Sequence, residues 1–183
     1  MMSKGEYMRV RGLKLFGALL FIASLGACDW KSDTPLLSEA DYVTPAIAGT
    51  YTMTIQGAPD PQRIVERPGR QFALVDSGNR ELVFYLAALP ELEPGIELFL
   101  AEASEKPHKY EYFIVGLERG RLDVYFPVCK NTALRPGIEE TDSGACKFNS
   151  RAVLMQVTQE AIADMRSAKV RQSGFVVLRR DKD

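Results

Sequence analysis

From residue 49 onward the apolar residues fall on every second position, and this alternation constrains the fold more than any other feature of the chain. In residues 50–56, TYTMTIQ, Tyr51, Met53 and Ile55 share one face and three threonines the other. Successive side chains of an extended chain point to opposite faces, so the stretch reads as a strand with one side buried. Residues 57–61 (GAPDP) read as a break, and 63–66 as a short second strand. Pro68 and Gly69 occupy the centre of a tight turn, where glycine takes a positive φ that other residues resist. Strands are expected next over 71–75, 81–87, 96–102, 109–117 and 122–126, with turns at 76–79, 104–107 and 118–120 and a loop over 90–95. Short strands joined by tight turns form an antiparallel meander that closes into a small barrel or sandwich of about seven to eight strands.

After residue 129 the pattern changes. Residues 130–145 read as a polar loop, long enough to be either a binding loop or a stapled connection. Asn149 or Ser150 can cap a helix running to about residue 167, with Ala152, Leu154, Met155, Val157, Ala161, Ile162 and Met165 as its apolar stripe. Residues 175–178 (FVVL) supply a final strand before a charged tail. The expected class is therefore mainly β, or α+β, with one late amphipathic helix. No internal repeat or low-complexity segment interrupts it.

The N-terminal stretch differs in kind. Arg9, Arg11 and Lys14 precede an apolar run over residues 15–27, which ends at Leu25-Gly26-Ala27-Cys28. A bilayer span needs about 20 apolar residues, so the run has the length of a secretory leader instead. Leu25-Gly26-Ala27-Cys28 resembles the lipobox of bacterial lipoproteins. That resemblance implies cleavage between Ala27 and Cys28 and acylation of Cys28, a palmitate-type lipid anchor in the membrane on the periplasmic side. Asp29 resembles the inner-membrane retention signal of enteric lipoproteins, which places the inner membrane slightly ahead of the outer. Translation can start at Met1 or Met8 with the same leader. Residues 146–151, Cys-Lys-Phe-Asn-Ser-Arg, have the look of a helix start in uncharacterised proteobacterial lipoproteins, a likeness that implies no activity.

With residues 1–27 as a signal peptide, residues 28–45 (two prolines, little periodicity) read as a lipidated N-terminus and flexible tether, and 46–183 as one β-rich domain. Trp30 would then rest at the lipid interface. Once Cys28 is assigned to lipid, Cys129 and Cys146 remain as an even pair in an oxidising compartment, so a disulfide is expected. Of 23 basic and 24 acidic residues the leader holds four and one, leaving 19 and 23 and a net charge of about −4. That balance, without a basic cluster, argues against nucleic acid.

Catalytic chemistry has little to stand on. His108, the one histidine, follows Pro107 in an expected turn and reads as solvated, with no nucleophile signature beside it. Glu91 and Glu93 sit in the 90–95 loop, and Glu139, Glu140 and Asp142 lack the spacing of a calcium loop. The expectation is no catalytic residue, no metal and no cofactor. Phe84, Tyr85, Tyr110, Tyr112, Phe113, Tyr125 and Phe126 crowd the middle strands, so some lie on the face away from the core. Either both faces are covered, one by the barrel interior and one by the helix, or an aromatic face or apolar pocket stays open to a partner or lipid-like ligand. Function is thus expected to be that of a non-catalytic binding or adaptor module of the cell envelope, held to the membrane through Cys28, with an envelope protein as partner. The alternative is a small-barrel carrier of an apolar ligand or an inhibitor of an envelope enzyme.

Overall fold

The computed structural model describes residues 30–55, 58–91, 93–106, 108–129, 132, 135–166 and 175–181. Its strands are β1 (Trp30–Ser32), β2 (Gly49–Ile55), β3 (Ala58–Arg67), β4 (Gln71–Val75), β5 (Glu81–Leu89), β6 (Glu97–Lys106), β7 (Lys109–Glu118), β8 (Arg121–Tyr125), β9 (Ile138–Glu140), β10 (Cys146–Phe148) and β11 (Phe175–Arg180), with helix α1 (Arg151–Arg166) before β11. Strands β2 to β8 run as an antiparallel meander, and β11 enters between β8 and β2 to close an eight-stranded barrel. Leu178 lies opposite Met53 on one side and Leu122 on the other.

Turn chemistry sets the hairpins. Arg119 and Gly120 both take positive φ, 45° and 79°, between the paired residues Glu118 and Arg121, which suits the twist of a two-residue hairpin. Gly69, at φ 79°, turns β3 into β4 as its sequence position requires. The Asp76 carboxylate accepts from the backbone N–H of Gly78 and of Arg80 and so folds the β4–β5 turn.

Strand β3 differs from expectation, running unbroken through Pro59 and Pro61. Strand β4 reaches only Val75, opposite Arg63, so the first half of β3 pairs with β2 alone. The two prolines, two residues apart, direct their nitrogens to one side, and there no ladder bond is needed. Strand β6 likewise extends to Lys106, through most of the expected 104–107 turn.

Alternation divides the apolar residues into two layers. Inside the barrel lie Tyr51, Met53, Phe72, Phe84, Leu86, Phe99, Phe113, Leu122 and Leu178. Outside it, Leu98 and Leu100 of β6 and Tyr112 and Ile114 of β7 pack against Leu154, Val157, Ile162 and Met165 of α1. Ser150 caps α1, its hydroxyl accepting from the Val153 N–H at 3.4 Å.

The expected tether over residues 28–45 does not hold for its described part. Trp30 is 1 % exposed, Leu37 5 % and Tyr42 9 %, all within the outer layer. Strand β1 pairs with β7 on one edge and in parallel with β10 on the other, and β10 pairs with β9. The ring of Trp30 meets Phe148 edge-on at 5.4 Å, and its Nε1–H donates to Thr132 Oγ1 at 3.0 Å, so this residue is a core anchor and not an interface resident. The outer face of β5 to β7 is too apolar to stay in water, and residues 30–43 cover what α1 does not.

Candidate functional site

The barrel interior is nearly filled. A cavity of about 40 Å³ is lined by apolar residues including Ile47, Ile64, Phe84, Phe113, Val124 and Phe126. Sites for small molecules run to roughly 300–1,000 Å³, so this space suits no carried ligand without rearrangement. Ile47 plugs the end near the start of β2, where its carbonyl accepts the Tyr51 hydroxyl at 2.6 Å. Arg180 stands over the Tyr51 ring at 5.8 Å and donates to the Ala48 carbonyl, fastening the same end.

Between the barrel and the N-terminal segment sits a buried carboxylate. Glu102, 2 % exposed, faces outward from β6 in step with Leu98 and Leu100. It accepts from the backbone N–H of Leu36 at 2.8 Å and of Leu37 at 3.0 Å, and from the hydroxyls of Tyr112 at 2.9 Å and Tyr42 at 3.3 Å. Burial, followed by the nearby Glu102 charge, holds both tyrosine hydroxyls protonated well above the usual tyrosine range. Ser32 adds its hydroxyl to Tyr112 at 2.8 Å. A buried charge persists where every lone pair finds a donor. Here those donors pin residues 32–42 to the barrel.

A polar concavity lies beside this pinned segment. It has about 380 Å³ of open space and is lined by Lys31, Ser32 and Asp33, by Lys109, Tyr110 and Glu111, and by Thr141, Ser143 and Lys147. Lys31 pairs with Glu111 at 3.7 Å across β1 and β7, and Lys147 with Asp33 at 2.6 Å. The Asp33 carboxylate, hydrogen-bonded to the Lys147 ammonium, holds it above the usual lysine range. Lys109 is exposed and has no ion pair among the described residues. The Thr141 and Ser143 hydroxyls meet at 2.9 Å, and Thr141 Oγ1 also accepts the Ala145 N–H at 3.1 Å.

Of the residues singled out in the sequence, Ala27 and Cys28 lie outside the described residues. Cys129 and Cys146 form a disulfide that ties β10 to the chain leaving β8. His108 is exposed in the β6–β7 turn at φ 60°. Glu91 and Glu93 are exposed in the β5–β6 loop; Glu139 and Glu140 face water from β9, and Asp142 follows in the next turn. None of these acids lines the polar cleft. Among the described residues no group of three or more His, Cys, Asp or Glu side chains could hold a metal, and no helix is long and apolar enough to cross a membrane. Sequence reasoning missed the cleft because Lys31, Lys109 and Lys147 are scattered along the chain and meet only through β1 and β10. No family model, curated protein or solved structure matches the chain.

Proposed function

We propose that the chain is a bacterial lipoprotein, anchored through Cys28 to the periplasmic side of the cell membrane, that works by binding and not by catalysis. The observation that supports this reading best is the close packing of the barrel: the apolar cavity among its described residues holds only about 40 Å³, small for a carried ligand, which favours recognition on the outside surface. The Leu25-Gly26-Ala27-Cys28 motif supports the anchor, because each acyl CH₂ in the bilayer contributes about 0.8 kcal/mol and more than one chain makes attachment stable. Asp29 favours the inner membrane. An envelope protein is the partner we expect, with no cofactor and no nucleic acid.

Two measurements test the reading. Cells fed radiolabelled palmitate are expected to label the wild-type chain, and Cys28→Ala to lose the label; an unlabelled wild type overturns the anchor. Photo-crosslinking in intact cells from a reactive residue placed at Lys109 is expected to give a discrete adduct with an envelope component. A lipid co-purifying inside the barrel, with no surface adduct, overturns the binding reading in favour of a carrier.

A further inference from the structure

We propose that the cleft between β1, β7 and residues 141–147 binds the phosphate diester of a membrane-lipid headgroup, with Lys109 as its main contact. This rests on the reading that Cys28 is acylated. The cleft's charge is the first argument. Among the residues lining it, Lys31 is engaged by Glu111 and Lys147 by Asp33, whereas Lys109 is exposed and has no ion pair among the described residues, so its ammonium is available to an anion. An ammonium binds phosphate as a compact point charge with no strict angular demand, which suits an exposed, adjustable lysine.

Hydroxyl accounting gives the second argument. Thr141 and Ser143 share one O–H between them, and Thr141 Oγ1 already accepts the Ala145 N–H. One O–H of the pair therefore stays available to donate into the cleft, which Tyr110 also lines. Phosphate oxygens accept such donors readily.

Position is the third argument, and it selects the source of the phosphate. Lys31 follows Cys28 by three residues, and a fully extended chain covers at most about 11 Å in that span. Because Trp30 is locked into the outer layer, no slack lies between the anchor and the cleft. Acyl chains on Cys28 thus hold the cleft within reach of the headgroup layer, where basic side chains gain from anionic lipid.

The test is amine acetylation of the full acylated protein, read by mass spectrometry relative to an added lysine-containing reference peptide. In nanodiscs of phosphatidylglycerol, Lys31, Lys109 and Lys147 are expected to react about fivefold more slowly than in nanodiscs of digalactosyldiacylglycerol, which carry no phosphate. Lys109→Gln is expected to abolish the protection of Lys31 and Lys147 without moving the thermal unfolding midpoint. Equal rates in the two lipids, or protection that survives Lys109→Gln, overturn the proposal. Soluble glycerophosphoglycerol, added in the galactolipid discs, distinguishes the sources: protection by it but not by phosphatidylglycerol overturns the membrane as supplier. If the intact mass shows no acyl chains, the anchor reading fails by itself, and protection by the soluble ester still decides whether the cleft takes phosphate.

Discussion

At Glu102 the fold places a charge inside an apolar layer and surrounds it with four donors. Glu102→Gln keeps the volume but turns an NH₂ group toward N–H and O–H donors, and the expected loss is about 2 kcal/mol in urea unfolding. Alternation along β6 shows that Glu102 points outward, but its donors at Leu36 and Leu37 lie in a segment without period, so the need for a buried acid there was not legible. Asp41 offers a second test. The Arg151 side chain hydrogen-bonded to it, helped by Ser38, holds its carboxyl well below the usual range, at about 2. A depressed folded pKa contributes stability that is complete above the ordinary aspartate range, near 4, and is lost as pH falls toward 2. Since Arg151 is half exposed, the contribution is about 1 kcal/mol, and Asp41→Asn is expected to remove it and flatten the stability profile between pH 4 and about 2.

Among the elements, those with a clear period could be read and those without it could not. The strands of the meander, the turns at Gly69 and Gly120, the helix after Ser150 and the Cys129–Cys146 pair all carry local signals in spacing, caps or residue type. Strands β1, β9 and β10 are three residues each, too short to show alternation, and they form by pairing with one another and with β7. The disulfide clamps this outer flap, its cysteines 17 residues apart. Replacing both cysteines by serine is expected to cost about 3 kcal/mol in the chain-entropy account. Hydrogen exchange should accelerate in β1, β9 and β10 and stay slow in β5 to β7. Gly137 joins the flap to the helix: at φ 95°, an added Cβ would lie 2.9 Å from Val153 Cγ2 and 3.0 Å from Asn149 Oδ1. Gly137→Ala is therefore expected to destabilise by about 1–3 kcal/mol, through strain at a left-handed residue as well as the clash.

For the whole molecule, the N-terminal segment decides how the barrel is worn. Residues 30–43 read as linker because their apolar members, Trp30, Leu36, Leu37 and Tyr42, follow no period; packed, they roof the outer face of β5 to β7. Trp30→Ala should cost about 3–5 kcal/mol, the range for a large aromatic removed from a core. As the single tryptophan, buried and hydrogen-bonded to Thr132, Trp30 also supplies a fluorescence signal for wild-type unfolding. Strand β11 bears on a different matter, the order of assembly. It pairs with both β8 and β2, so until residues 175–180 have taken their place, two strand edges and the aromatic interior stand open. Contacts so distant along the chain form slowly, since the loop must be closed before they reward it. The folding chain therefore passes through a period as an unsealed sheet, when a chaperone has the most to bind and neighbouring copies the most to aggregate with.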